Sequence, residues 1–276
     1  MKIAIQGIKG SYHHEVSTKL FGDDLRLEEC NNFSEIPPLI VSNKVDYAVM
    51  AIENSIAGAI LPNYALINEY DLQIYSEYYL PIQHQLMGLK GQTLADISEV
   101  QSHPMALEQC RKFFRDYPHI RLIEEKDTAL IAKKIQDKQL KGIAAIASKK
   151  AAEIYHLDII AGNIQTNKTN YTRFVVLKMK SDKSISNYSK ASIKFGLSHQ
   201  TGSLYKTLQI LNDFELNMSK IQSLPIIDRP WEYAFFVDLV FDDTTRFEMA
   251  LQALEKEVIE LKILGKYRNG ELRIKD

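Results

Sequence analysis

From Lys2 to about residue 180 the chain alternates short apolar runs with segments whose apolar positions recur at helical spacing, the pattern of a parallel α/β domain. The runs predict strands at Lys2–Gln6, Leu25–Glu29, Asp46–Ile52, Leu72–Glu77, Gln85–Leu89, Ile120–Glu124, Ile143–Ala147 and Thr172–Met179. Between them, helices are predicted at Tyr12–Phe21, stopped by Gly22, and at Asn63–Glu69, Met105–Phe114, Thr128–Gln136 and Lys149–Tyr155. Pro37-Pro38 weakens any helix across Ser34–Val41 unless both prolines occupy its first turn, where a missing N–H is no loss. Lys180 to Ser189 is rich in Lys and Ser and reads as a linker.

Beyond the linker the rhythm changes. Ala191, Ile193, Phe195 and Leu197 alternate with Ser192, Lys194 and Gly196, which predicts a half-buried strand. Leu204, Leu208 and Leu211 recur at helical spacing. Trp231, Tyr233, Phe235, Val237, Leu239 and Phe241 share one face of a second long strand. Phe247, Leu251, Leu254, Val258 and Leu261 step by four and three and predict a second amphipathic helix, with a last strand over Ile263–Tyr267. Strand–helix–strand–strand–helix–strand is the order of a ferredoxin-like α+β module.

Composition narrows the function classes. The 276 residues carry 34 Lys and Arg against 35 Asp and Glu, a formal net charge of −1. Broad nucleic-acid binding needs a basic excess that is absent here. No apolar run approaches the roughly 20 residues that cross a bilayer, and the opening Met1-Lys2-Ile3-Ala4-Ile5-Gln6-Gly7 is too short for a secretory signal. Cys30 and Cys110 lie far apart and form no CxxC pair, so two reduced thiols in the cytoplasm are expected. There is no Walker A loop, GxGxxG, HExxH or GxSxG, and no Cys/His set with metal spacing, so no metal, nucleotide or other cofactor is expected.

Four polar clusters stand where strands give way to loops or helices, the ends at which open α/β sheets bind ligands. Gly7-Ile8-Lys9-Gly10-Ser11 joins the first strand to its helix, where free N–H groups can hold an anion; alone it reads as a tight turn with a serine cap. Glu53-Asn54-Ser55 follows the apolar strand Tyr47–Ile52, and strong polar groups seldom crowd a strand end without partners. Ser102-His103-Pro104 is followed by Gln109 and Cys110; proline at the first helical position makes Ser102 or His103 an N-cap, and Cys110 reads as a packed residue rather than a nucleophile. Asn170-Tyr171-Thr172-Arg173-Phe174 leads into Val175-Val176-Leu177, with Arg173 placed for two-pronged recognition of a carboxylate and a solvated arginine as the plainer reading. The scattered histidines His84, His103, His119, His156 and His199 default to surface or core positions.

Taken in order, Gly7-x-x-Gly10, Glu53-Asn54-Ser55-x-x-Gly58, Ser102-His103-Pro104-x-x-Leu107-x-Gln109-Cys110 and Thr172-Arg173-Phe174 resemble the signature of the prephenate dehydratase family. The tail from Ala191, including Leu264-Gly265-x-Tyr267, is similar to an ACT regulatory domain. The resemblance implies a catalytic region over 1–180, built as two α/β lobes like type II periplasmic binding proteins, and a ferredoxin-like ACT domain over 190–276. It implies the monofunctional form, with the first strand starting at Lys2. The implied reaction converts prephenate to phenylpyruvate, CO2 and water on the way to phenylalanine, with no cofactor.

By the same resemblance Thr172 is the donor at the leaving hydroxyl and Arg173 the carboxylate clamp, while Asn54, Ser55, Ser102 and Gln109 orient the substrate. Glu53, Gly10, Ser11, His103 and Phe174 complete the substrate-binding shell. ACT domains of the family commonly bind L-phenylalanine at a dimer interface through Gly-Ala-Leu-Val and Glu-Ser-Arg-Pro segments. Here the first reads Gly202-Ser203-Leu204-Tyr205 and the second, set by its distance to Trp231, reads Gln222-Ser223-Leu224-Pro225. Both charged members of the second are replaced, by Gln222 and Leu224; alignment onto Asp228-Arg229-Pro230 would restore an arginine but disturb the spacing. An effector site and a plain sheet edge used for dimerisation both stay open, and a homodimer or homotetramer is expected. Arogenate in place of prephenate, and an amino-acid sensor without catalysis, are the alternatives in function.

Overall fold

Three short segments near the start fold into neighbouring parallel strands. β1 (Lys2–Gln6) lies between β2 (Arg26–Cys30) and β3 (Tyr47–Asn54), with Ile3 opposite both Leu27 and Tyr47. β3 is buried from Ala48 to Ile52, as a continuous apolar run covered on both faces should be. α1 (Tyr12–Phe21) connects β1 to β2; Ser11 caps its start by accepting from the His14 N–H at 3.2 Å, and Gly22 at φ +87° ends it. α2 (Ile36–Val41) does form, with both prolines in its first turn. The strand order of this sheet is β2-β1-β3-β11-β5, where β5 is Leu72–Pro81 and β11 is Tyr171–Met179; β4 (Gly58–Ala59) pairs with β3. α3 (Leu61–Glu69) precedes β5. All of this belongs to a computed structural model that describes residues 1–181, 187–226 and 232–270.

A second sheet has the order β10-β6-β9-β7-β8, formed by β6 (Gln85–Gly88), β7 (Glu99–Ser102), β8 (Arg121–Glu124), β9 (Ile143–Ala147) and β10 (Asp158–Ala161). β7 is parallel to β8 and β9, whereas β6 is antiparallel to β9 and β10, so the sheet is mixed where alternation alone predicts parallel pairing. The helices α4 (Pro104–Cys110), α5 (Thr128–Lys138) and α6 (Lys149–Ile154) accompany it. Leu86, Val100, Ala144 and Ile146 pack with Leu107, Cys110 and Phe114 of the α4 segment, while Met87, Ala145 and Ala147 pack with α5 and α6. Adjacent Leu86 and Met87 thus serve opposite faces, as the two-residue strand period requires.

α4 is shorter than the predicted Met105–Phe114: it stops at Cys110, and a 3-10 turn follows at Phe113–Asp116. The Gln109 carbonyl, which a longer helix would spend on residue 113, instead accepts from the Thr166 N–H at 2.8 Å.

By packing, the chain divides into Met1–Gly58 with Leu80–Phe174, and Ala59–Tyr79 with Val175–Asp276. In the latter unit β12 (Lys190–Gly196), α7 (Ser203–Asp213), β13 (Asn217–Pro225), β14 (Tyr233–Val240), α8 (Thr244–Glu257) and β15 (Ile259–Tyr267) form the ferredoxin-like module, its sheet antiparallel in the order β13-β14-β12-β15. Ala191, Ile193, Phe195, Val237 and Leu239 pack against Leu211, Phe247, Ala250, Leu251 and Leu254. The predicted second helix ends at Glu257: Val258 is extended, at φ −112° and ψ 159°, and Leu261 lies in β15. Trp231 and the alternative Asp228-Arg229-Pro230 segment lie outside the described residues, as do 182–186 of the expected linker.

The strand predicted to be half-buried is buried on both faces. Lys190, Ser192 and Lys194 are 1%, 4% and 7% exposed. Residues of α3 and β5, in the same unit, approach this sheet: Gly265 lies so close to Ile74 that a Cβ would collide with its carbonyl, and Tyr64 meets Phe236 edge-on at 5.4 Å. Polar partners accompany the burial, with Lys190 Nζ 3.1 Å from Glu77 Oε1 and Ser192 Oγ donating to Asp238.

Candidate functional site

The second and fourth sequence clusters meet where β3 ends beside the start of β11. The Ser55 N–H donates to the Tyr171 carbonyl at 2.8 Å and the Tyr171 N–H returns to Ser55 Oγ at 2.9 Å. The Asn54 side chain is oriented by main-chain groups on both of its sides. Its Oδ1 accepts the N–H groups of Ile56 and Ala57 at 3.0 and 2.9 Å, and its Nδ2 faces the Tyr171 carbonyl at 3.2 Å. The same amino group reaches Asn170 Oδ1 at 2.7 Å and Thr172 Oγ1 at 2.9 Å.

From Asn170 the network crosses to the second sheet's elements. Asn170 Nδ2 donates to Gln109 Oε1 at 2.9 Å, and His84 Nε2 lies 2.9 Å from the same oxygen. His84 Nδ1 lies 2.8 Å from the Tyr12 hydroxyl, which also reaches the Gln83 carbonyl at 3.1 Å. His84 is 3% exposed, and its main chain is pinned by Gln165 Oε1 and the Ile164 N–H, both at 3.0 Å. Burial, partly offset by the bond to Gln109, lowers the His84 pKa; burial, Glu15 and Cys110 hold the Tyr12 hydroxyl well above its usual range. Gln109 is partly exposed, and its Nε2 makes no hydrogen bond among the described residues.

Around this core, Arg173 is 3% exposed, with Nη1 4.0 Å from Glu53 Oε2. Phe174 is buried and takes the His13 ring edge-on at 5.0 Å. His13 Nε2 accepts the Ala51 N–H of β3 at 3.2 Å, and burial lowers its pKa to about 3, so the ring is neutral support for the strand that carries Asn54.

The remaining sequence candidates sit differently. Ser102 is fully buried and its hydroxyl donates to the Ile146 carbonyl at 2.7 Å, tying β7 to β9, so it has no proton left for a ligand. His103, not Ser102, caps α4, accepting from the Met105 N–H at 3.2 Å. In the first cluster the Gly10 N–H donates to His14 Nδ1 and the Ser11 N–H to the Ile8 carbonyl, both at 3.0 Å, so the donors proposed for an anion are taken. Gly10, at φ +90°, packs against α6: a Cβ would lie 3.0 Å from Ala151 Cα, and its carbonyl accepts from Ser148 Oγ at 2.6 Å. The Cys110 thiol is buried and pushed up to about 12, which removes it as a nucleophile. Among the described residues no group of three His, Cys, Asp or Glu stands ready to hold a metal ion.

Sequence reasoning passed over His84, Tyr12 and the role of Asn170. His84 had one usable signal, a polar residue at the head of the apolar strand Gln85–Gly88. Its partners are 25 and 72 positions away, beyond the reach of local pattern.

Fold and site together describe a two-lobed α/β region with a polar side-chain network at its strand ends, followed by a ferredoxin-like module. The prephenate dehydratase family model matches residues 3–182. The chain is 33% identical over 275 residues to the bifunctional chorismate mutase/prephenate dehydratase of Aquifex aeolicus, covering 99% of this chain and 75% of that protein. It is 35% identical over 287 residues to arogenate dehydratase/prephenate dehydratase 1, chloroplastic, of Arabidopsis thaliana, covering 97% and 72%. Similar solved structures include one described as GqqA, a novel type of quorum quenching acylase, at 27% identity and TM-score 0.89, covering 99% of this chain and 100% of that one. Another is prephenate dehydratase from Arthrobacter aurescens in complex with L-Phe, at 23% identity and TM-score 0.86, covering 98% and 91%. The chain belongs to the prephenate dehydratase family and is, with it, a lyase of the dehydratase kind.

Proposed function

We propose that the chain converts prephenate to phenylpyruvate, CO2 and water at the Asn54–Thr172–Gln109 site. Prephenate is a dianion whose cyclohexadiene ring carries a carboxylate and, across the ring, a hydroxyl. Loss of CO2 sends its electron pair through the ring and expels that hydroxyl, and aromatisation drives the step, so no external base is required. What a protein must supply is a hold on two carboxylates and a donor to the departing oxygen.

One observation supports this reading above the others. Asn54 donates to Thr172 Oγ1, so the hydroxyl's own proton points elsewhere, and Gln109 accepts twice on Oε1, which leaves its amino group as a donor. Two donors therefore end the network, as a dianion losing an oxygen requires. In this scheme Thr172 serves the leaving hydroxyl and Arg173 clamps a carboxylate, with Glu53 balancing part of its charge. Gln109, Asn54 and Ser55 set the substrate and loop geometry, and Phe174 walls the site through His13. Ser102 and His103 hold β7 and α4 in place rather than donate.

The segment 1–180 would act as the catalytic region and 190–276 as an ACT regulatory domain. Gly202, at φ +87°, starts α7 ahead of Ser203 and Leu204, and Gln222 and Ser223 lie on β13, at the edge of its sheet. We assign these five residues to an L-phenylalanine site between paired modules of a homodimer or homotetramer. A cytoplasmic location fits the two free thiols; no described helix is long and apolar enough to cross a membrane. For the acylase chemistry named for one similar structure, neither Ser102 nor Cys110 is an activated nucleophile: the Ser102 proton is committed to Ile146, and burial keeps the Cys110 thiol protonated.

Purified protein given prephenate and, separately, arogenate should release phenylpyruvate from the first, with added L-phenylalanine changing both rate and oligomer size. Aromatic product from neither substrate would overturn the catalytic reading. Phenylalanine formed from arogenate alone would move the substrate and keep the chemistry.

A further inference from the structure

The hydrogen bonds around Gln109 have a direction that can be followed from fixed ends. Main-chain N–H groups of Ile56 and Ala57 can only donate, so the Asn54 atom they meet is its oxygen. The Tyr171 carbonyl can only accept, so the atom facing it is the Asn54 nitrogen. Asn54 Nδ2 then requires Asn170 to present Oδ1 at 2.7 Å, which leaves Asn170 Nδ2 to donate to Gln109 Oε1. With Gln109 facing Asn170 through its oxygen, the nitrogen of His84 against that same oxygen at 2.9 Å must carry a proton. His84 Nδ1 is then bare in the neutral ring and accepts the Tyr12 O–H at 2.8 Å. The Tyr12 proton has a second acceptor, the Gln83 carbonyl at 3.1 Å, so a ring protonated on both nitrogens is the one competing assignment; in either, Nε2 carries the proton that meets Gln109. Burial, which disfavours the charged ring, agrees with a neutral imidazole.

We propose that His84 is a positioning residue: as the Nε2–H tautomer, backed by Tyr12, it fixes the Gln109 amide so that its NH2 group faces the substrate. This rests on the dehydratase reading and deepens it by naming what orients one of its two donors. Asn170 Nδ2 sets which way the Gln109 amide turns; His84 supplies the second anchor on Oε1 and holds the amide in that orientation, the flipped one presenting a carbonyl to an anionic substrate. Because a donor to a carboxylate acts on bound substrate and transition state alike, its loss falls on KM more than on kcat.

Two measurements test this. On the unliganded wild-type chain, 15N NMR of the histidine side chains should show His84 protonated on Nε2 and bare on Nδ1 at neutral pH. The Nδ1–H tautomer would overturn the assignment. In steady-state kinetics with prephenate, His84→Leu should raise KM roughly 10–100-fold, the scale of a misplaced contact, with kcat changed only a few-fold. His84→Gln, whose amide can donate to the same oxygen, should recover most of the loss. The double variant His84→Leu, Gln109→Leu should be no worse than Gln109→Leu alone; losses that multiply instead would mean that His84 does not act through Gln109. If His84→Leu fails to fold, the tautomer and the His84→Gln kinetics still decide. A wild-type chain inactive on prephenate would sink the substrate reading, while the tautomer would still report on the network.

Discussion

Replacing Asn54 by aspartate changes one atom and tests how Thr172 obtains its role. Asn54 Oδ1 would keep its two main-chain N–H donors, at 3.0 and 2.9 Å, so the loop after β3 keeps its shape. At the place of Nδ2, however, an oxygen would face Asn170 Oδ1 at 2.7 Å, Thr172 Oγ1 at 2.9 Å and the Tyr171 carbonyl at 3.2 Å. Asn170 can turn its amide over and the carbonyl cannot respond, but Thr172 can donate its own proton to the new carboxylate. A hydrogen bond to a charged group is worth about 1.5–3 kcal/mol, so that proton is no longer available to a departing oxygen. Asn54→Asp should therefore lower kcat by about 10²–10³, equivalent to ~2.7–4 kcal/mol, the usual cost of losing one such donor. Thr172→Val, which keeps the shape and removes the hydroxyl, should lose about as much. The assay is steady-state phenylpyruvate formation by both single variants and the double variant, with thermal melts confirming that each is folded. Because both changes silence the same proton, the double variant should resemble either single one. Losses that multiply would refute the argument, as would an Asn54→Asp enzyme of near wild-type kcat.

Arg173→Lys should act mainly on KM, since lysine lacks the planar fork that meets a carboxylate with two bonds; an unchanged KM in steady-state kinetics would remove the clamp role. Lys190→Met should cost about 3–5 kcal/mol in urea denaturation, because it takes the cation away from the Glu77 carboxylate where both side chains are at most 1% exposed; adding Glu77→Gln should recover much of it, and a loss under ~1 kcal/mol would contradict the pairing. His13 gives the folded chain an acid sensitivity. Its pKa falls from 6.5 to about 3 on burial, so its contribution is complete above pH 6.5 and is lost as pH falls toward 3. At pH 5 the wild type should have lost about 2 kcal/mol relative to pH 7 from this group, and His13→Gln, which can still accept from the Ala51 N–H, should lack that component when urea midpoints are compared at the two pH values.

Local chemistry was readable where a local cause decides the outcome. Tyr12–Phe21 begins and ends where Ser11 and Gly22 place it, and the double proline fits α2 because it falls in the first turn. Strand direction was not readable: the apolar run Gln85–Gly88 has the same pattern whichever way it pairs, and its antiparallel pairing with β9 and β10 is set by connections elsewhere. Nor was β10, whose Asp158–Ala161 residues are half-exposed and carry no alternation. β12 misled for a related reason. Lys190 and Ser192 look like a solvent face until Glu77 and Asp238, from distant strands, partner them. The site divides the same way: Asn54, Thr172 and Arg173 stand at strand ends where sequence puts them, whereas His84 matters only through residues brought to it by the fold.

A threonine hydroxyl is a very weak acid, and this is the main chemical objection to giving Thr172 the departing oxygen. The direction of the network answers it. Main-chain N–H groups donate to Asn54, Asn54 donates to Thr172 and to Asn170, and Asn170 donates to Gln109, which also accepts from His84 behind Tyr12. Each acceptor is also a donor on its far side, so accepting a bond strengthens the bond it can give, by about 10–30% per link. The polarisation runs outward along both branches and ends on the Thr172 O–H and the Gln109 N–H. In the proposed scheme full proton transfer from Thr172 is then unnecessary: a strengthened hydrogen bond stabilises charge as it develops on the oxygen, and the departing hydroxide takes its proton from buffered solvent after the C–O bond has broken. The same directionality explains why Asn54 cannot be exchanged for an acceptor of equal shape, since reversing its link to Thr172 turns that hydroxyl's proton inward.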